Sequence, residues 1–259
     1  MPATQIMHMV MMDTHTITDL TGNDLAPDAG LDEANLLRLM AWLSPSFPVG
    51  AFSYSHGLEF AVEAGRVTDR ETLQAWSSAI LLHGSGRIDA ALFRASYDAA
   101  LTHDEALLVW ALERGDTMRA TRELGVEAEG QGRAFLDMVE GPWPTTEFAW
   151  LRDVARAADR PVVYPVAVAV AAAAHGVPVA ASLIAYLHAF AANLVSAVVR
   201  LVPLGQSDGL RVIAELEPVI RRAAAAAMDC PREDIGSGTV MADWTSARHE
   251  TQYTRLFRS

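Results

Sequence analysis

The sequence predicts an all-α protein, a single-domain helical bundle of about nine or ten helices, and three observations lead there. Apolar residues recur at three- and four-residue spacing from Asp32 almost to the end of the chain. Strand-like alternation is scarce, and a β-branched pair, Val162-Val163, is enclosed by Pro161 and Pro165. Alanine is abundant in a chain that is 51% hydrophobic, which favours close-packed helices over strands. A chain of 259 residues is also long enough to bury a sizeable core.

Taken in order, residues 1–31 are rich in Met, Thr, Asp and Gly without a period and read as a flexible N-terminal extension. Leu36, Leu37, Leu39, Met40 and Leu43 give a short amphipathic helix that stops at Ser44, before Pro45. Trp42 to Glu59 reads W-L-S-P-S-F-P-V-G-A-F-S-Y-S-H-G-L-E, with two prolines, two glycines and four aromatics in eighteen positions. Proline fixes φ and glycine opens left-handed geometry, so this run should hold a defined irregular shape. Its later half should turn helical from about Ser53, through Leu58, Phe60 and Val62, and stop at Gly65. Thr68-Asp69-Arg70-Glu71 reads as a capping box ahead of Leu73, Trp76, Ile80 and Leu81. Further helices fit 86–101, 104–114, 116–139 and 145–158.

From Pro161 to Val199 there is no Asp, Glu, Lys or Arg, long enough to raise a membrane-spanning reading. The break at His175-Gly176-Val177-Pro178 and the alanine content favour instead a buried, Ala-rich helical hairpin. In its second half a bulky stripe (Leu183, Leu187, Phe190, Leu194, Val198) opposes a small one (Ala181, Ala185, His188, Ala192, Ser196) that would let a neighbour approach. Arg200 to Gln206 reads as a loop, and Asp208 to Met228 as a helix kinked at Pro218 and ended by Cys230-Pro231. The organisation expected is thus an extension over 1–31, an all-α domain over 32–231 and a flexible polar C-terminal tail over 232–259.

The net charge is -12 and the chain has no lysine, which argues against nucleic acid. Residues 1–33 hold six acids and no arginine, half the excess charge, whereas the segment from Trp244 sets Arg248, Arg255 and Arg258 against Glu250 alone. Such a tail could dock onto an acidic surface. One cysteine, Cys230, fits a reducing compartment, and no signal peptide is apparent, so the expectation is a cytoplasmic protein.

Without lysine no G-x-x-x-x-G-K-[ST] loop exists, so the chain is not expected to bind GTP or ATP. His56 and Glu59, three apart in an expected helix, could face one metal, which gives the rival reading of a helical metal-dependent enzyme centred on them. No second such pair supports it, and three protein ligands are usual at a catalytic zinc. His8, His15 and the methionines at 1, 7, 9, 11 and 12 form a further soft-metal tract, read more plainly as a leader. His83, His103, His175 and His188 read as structural, and Cys230 as an ordinary thiol. No G-x-S-x-G elbow is present. Trp42, Phe47, Phe52 and Tyr54 could staple a core or anchor an interface, and the tail mixes arginine with Tyr253, Leu256 and Phe257, a composition enriched at interfaces.

Three stretches, L-S-P-S-F-P-V-G-A-F-S-Y-S-H-G-L-E, R-L-V-P-L-G-Q-S-D-G (Arg200 to Gly209) and H-E-T-Q-Y-T-R-L-F-R-S, occur in the order seen in urease accessory protein UreF, which the chain resembles after about residue 34. The resemblance implies a protein without catalysis or cofactor, dimeric when complexed. It would bind UreD (also called UreH) and then the GTPase UreG, to deliver nickel to apo-urease in a GTP-dependent step. It also implies that the front motif and the tail bind partners, through Phe52, Tyr54, His56, Glu59, Arg248, Tyr253, Arg255, Leu256 and Phe257, with Arg255 engaging the GTPase. Phe52 stands where some relatives carry tyrosine. Neither nucleic acid nor membrane is expected as a partner.

Overall fold

The computed structural model describes residues 31–259, and the expected extension and the His8/His15 methionine tract lie outside them. Helix α1 spans Glu33–Trp42, α2 Leu58–Glu63, α3 Arg70–His83, α4 Ser85–Thr102, α5 Glu105–Thr117 and α6 Arg122–Val139. Then follow α7 Thr146–Ala158, α8 Tyr164–Ala174, α9 Val179–Val199, α10 Gln206–Met228 and α11 Val240–His249. Among the described residues there is no strand.

Local chemistry accounts for most helix starts. Asp32, Asp69, Asp104 and Thr121 each stand at an N-cap and accept a hydrogen bond from the backbone N–H three residues on. The reciprocal box at α3 uses Asp69 and Thr72, not Thr68 and Glu71. Because Asp69 is the cap, the side chain placed to return the bond belongs to Thr72, whose Oγ1 accepts from Asp69 N–H at 3.1 Å. α8 begins at Tyr164-Pro165, where proline's missing N–H costs nothing.

α8 is the axis of the core. Every residue from Pro165 to Ala173 is buried, with α4 and α6 packed along it and α7 and α9 beside it. Alanine and valine permit that crowding. Gly132 of α6 faces the strand-like lead-in to α8 so closely that a Cβ there would sit 2.1 Å from the Val162 carbonyl oxygen. α9 completes the hairpin and packs chiefly on α10. By length and composition it could cross a membrane, yet Leu183, Leu187, Leu194 and Val198 of its bulky stripe are buried inside the bundle. The small stripe divides: Ala181 and Ala185 pack against the core, whereas His188 and Ser196 are exposed and with Ala192 line a cavity. Pro218 lies inside α10.

A buried polar network ties three elements. Arg119 Nη1 lies 2.7 Å from Asp89 Oδ1, and the Tyr186 hydroxyl donates to Asp89 Oδ2 at 2.8 Å. Arg119 Nε adds a bond to the Gly115 carbonyl. Burial, helped by the adjacent Asp89 carboxylate, holds the Tyr186 hydroxyl protonated far above its ordinary range. The charges are therefore paired and almost wholly enclosed, the condition under which a buried ion pair is tolerated.

The 232–259 segment departs from the expected flexible polar tail. A 3-10 turn at Arg232–Asp234 leads to α11, which packs on α2, and Phe257 and Ser259 are buried. The periodicity of α11 is faint because its buried positions are Thr245, Ser246 and His249, all polar.

Candidate functional site

The front motif holds its shape through backbone geometry. Gly50 is left-handed (φ 74) before a 3-10 turn at Ala51–Ser53, and His56 and Gly57 are both left-handed (φ 58 and 76) before α2. The helix expected from about Ser53 thus starts only at Leu58. Gly57 is required for a second reason. A Cβ there would lie 2.7 Å from the Ser246 backbone nitrogen and 2.8 Å from its Cα, so only glycine lets α11 close onto α2. Gly57→Ala should weaken α11 docking by about 2–4 kcal/mol, from left-handed strain plus backbone overlap. Amide exchange over 240–249 should accelerate while α8 is unchanged; unaltered exchange in α11 would refute this.

Once α11 is seated, the chain after it folds back along α2 and α6. Glu59, buried on α2, receives three bonds: Leu256 N–H to Oε1 at 2.6 Å, Phe257 N–H to Oε2 at 2.9 Å, and His249 Nε2 to Oε2 at 3.1 Å. On its other side the His249 ring places Nδ1 2.6 Å from Glu123 Oε2, and Arg255 Nη1 pairs with Glu123 Oε1 at 2.5 Å. One turn along α6, Glu127 Oε2 accepts the Ser259 hydroxyl at 2.6 Å and lies 3.6 Å from His56 Nδ1. Glu250 accepts from Arg122 N–H and Glu123 N–H, placing a carboxylate on the first turn of α6, where the helix dipole favours it.

The tail then pairs with the front motif. Arg258 N–H donates to the Ser53 carbonyl at 2.8 Å, and Ser55 N–H to the Ser259 carbonyl at 2.8 Å. Arg200, which opens the middle motif, donates to the Phe52 carbonyl and stacks its guanidinium 4.4 Å from the Phe257 ring centre. All three sequence motifs therefore meet at one place. Beneath the front motif a cavity of about 220 Å³ is lined by Phe47 and Phe190 and, on its polar side, by His56, Asp89, Arg119 and Tyr186.

The nine expected partner-binding residues divide by exposure. Phe52 (69%), Leu256 (63%) and Tyr253 (103%) stand out in solvent, as do Arg248 and Arg255 in part. Tyr54 (8%), Glu59 (7%) and Phe257 (4%) are buried, and His56 is nearly so. The buried ones hold the loop and tail in place; the exposed ones are what the fold presents. His56 precedes α2 in a left-handed conformation, with its Nε2 on the Ser85 hydroxyl at 2.6 Å and its Nδ1 toward Glu127, whereas Glu59 turns to the tail amides. The two therefore do not share a metal-facing side, because the helix that would align them has not begun at His56. Among the described residues no group of three or more His, Cys, Asp or Glu is placed to hold a metal ion.

Sequence reasoning did not single out Glu123, Glu127, His249, Glu250 or Arg200. Glu123 and Glu127 were legible only as a four-residue spacing on α6, indistinguishable from a solvated face. His249 and Arg200 lay inside quoted motifs without a reason to choose them.

A family model described as UreF matches residues 67–217 of the chain. The chain belongs to the UreF family. It is 47% identical to urease accessory protein UreF of Rhodopseudomonas palustris strain BisB5 over 234 residues, which cover 90% of this chain and 95% of that one. Identity to the protein of the same name from Granulibacter bethesdensis is 47% over 237 residues, 92% of this chain and 99% of that one. With that of Bradyrhizobium diazoefficiens it is 47% over 231 residues, 89% and 94%. The all-α bundle agrees with the fold expected for UreF, and the meeting of the three motifs explains why such separated stretches characterise this UreF-family chain.

Proposed function

We infer that the chain is a non-catalytic scaffold of urease maturation, which binds UreD (UreH) and recruits the GTPase UreG for GTP-dependent nickel insertion into apo-urease. The observation that carries this is the latched tail. Glu59, Glu123 and Glu127 spend their carboxylates on the chain's own tail, and the result is a fixed surface bearing Phe52, Tyr253, Arg255 and Leu256. Exposed aromatic, leucine and arginine side chains on a rigid mount suit hot-spot contacts, since little ordering entropy remains to be lost on binding. The rival metal-dependent enzyme centred on His56 and Glu59 has no such support, because Glu59 is turned to three donors from α11 and the tail and does not face His56.

In this reading the scaffold acts in the cytoplasm and as a homodimer within the complex, with residues 232–259 as its partner-binding segment. Arg255→Ala removes one partly exposed ion pair and should leave the bundle folded, while weakening GTPase recruitment. The test is nickel content of urease produced with the wild-type chain, with Arg255→Ala and without the chain. Loading should be high, reduced and lowest in that order. Equal loading with and without the chain would end the proposal, and an intact circular dichroism spectrum separates recruitment from misfolding.

A further inference from the structure

The cavity beneath the front motif has hydrogen-bonding capacity that the chain itself does not use. Arg119, almost wholly enclosed, donates through Nε to the Gly115 carbonyl and through Nη1 to Asp89. Its Nη2 is buried and has no partner among the described residues. His56 Nδ1 is in the same condition, since Nε2 pairs with the Ser85 hydroxyl and Glu127 Oε2 stands 3.6 Å away, too far for a hydrogen bond. A buried guanidinium N–H left unmade carries the whole cost of its desolvation, so the site favours an incoming acceptor. The carboxylates have nothing comparable to offer: Asp89 accepts from Arg119 and Tyr186, and Glu127 from Gln131 and Ser259.

We propose that this cavity binds a small uncharged molecule with an aromatic body and a carbonyl head, the head accepting from Arg119 and the body resting against Phe47 and Phe190. Its volume, about 220 Å³, suits such a size, because an apolar cavity of about 150 Å³ already holds benzene. Charge sets the rest of the preference. Arg119 is matched by Asp89, and Glu127 adds a second carboxylate to the lining, so an anionic head would be repelled in a poorly solvated place. A cationic head would meet Arg119 and find the oxygens of both carboxylates already engaged. Entry is available, since Pro45, Phe52 and Ser196 line the cavity and are exposed. Neither the cavity nor its chemistry depends on a role in urease maturation.

Benzamide, benzoate and benzamidine share one shape and differ in charge, so methyl NMR of the full-length chain with each compound tests the proposal. Benzamide should shift the Leu43 and Val49 methyls saturably, with a Kd below about 1 mM. Benzoate, benzamidine and toluene should each bind more weakly by about tenfold or more. Ala192→Phe places a ring in the cavity from the partly exposed side of α9 and should abolish binding. Arg119 also borders a cleft beside Asp116, which α9 does not line, so this variant identifies the cavity. Absence of saturation up to about 10 mM benzamide overturns the proposal, as does equal binding of any comparison compound or a wild-type affinity in folded Ala192→Phe. Should that variant fail to fold, nuclear Overhauser contacts of benzamide with the wild-type chain decide. Contacts to Leu43 and Val49 support the site, and contacts confined to other methyls overturn it.

Discussion

Glu59→Ala is expected to release the C-terminal tail while leaving the bundle assembled. The substitution removes the acceptor for two tail amides and for His249 at once, and strands the His249 ring in a fully buried site beside Glu123 alone. Breaking a buried charged contact by deleting one partner typically costs about 3–5 kcal/mol. That loss falls on tail docking and not on the core, because among the described residues the Glu59 carboxylate bonds only to His249 at the end of α11 and to Leu256 and Phe257 beyond it. Limited proteolysis should cut near Tyr253 far faster in the variant. Glu59→Gln keeps one acceptor but turns an amide donor toward other donors, so it should lie nearer to alanine than to wild type. A variant with a protected tail would show that the carboxylate is incidental.

Asp89→Ala should act on the other part of the molecule. Asp89 pairs with Arg119 and accepts from Tyr186 inside the bundle, and among the described residues Arg119 has no other carboxylate within salt-bridge distance. Alanine leaves a guanidinium enclosed without a counter-charge, with an expected cost of about 3–5 kcal/mol to global stability. Denaturant unfolding should show a lower midpoint with a similar slope. Arg119→Met in the same background should recover much of the loss, since the uncompensated charge is then gone. An additive double variant would mean that the pair is energetically uncoupled.

The bundle was legible because its signals are local. The capping signal near Thr68 to Glu71, the prolines around the start of α8 and the three- and four-residue apolar spacing each act over a few residues, and the structure places helices there. α11 was not legible. It docks through Thr245, Ser246 and His249, side chains that look solvated in a sequence and are buried here: Thr245 donates back to the Ala242 carbonyl, Ser246 meets Thr121 at the N-cap of α6, and His249 meets Glu59 of α2 and Glu123 of α6. The site was legible as three motifs but not as a mechanism, because the carboxylates that join them sit on α2 and α6, far away in sequence. His56 and Glu59 invited a metal reading through their spacing; two left-handed residues before α2 break the periodicity on which that spacing relied.

The separation of the latch partners also orders events during folding. Glu59 meets amides 197 and 198 residues further along, and Glu127 meets Ser259 across 132. Contacts of such span carry a loop-closure cost that is met only after the intervening helices have collapsed. On a growing chain α2 is made early, and its carboxylate stays without these partners until residues 249, 256 and 257 have been added. The contacts of Glu59 and Glu127 with the tail therefore exist only where α2 and α6 already stand in their native places, so the exposed positions of Phe52 and Leu256 depend on packing between segments made far apart in time.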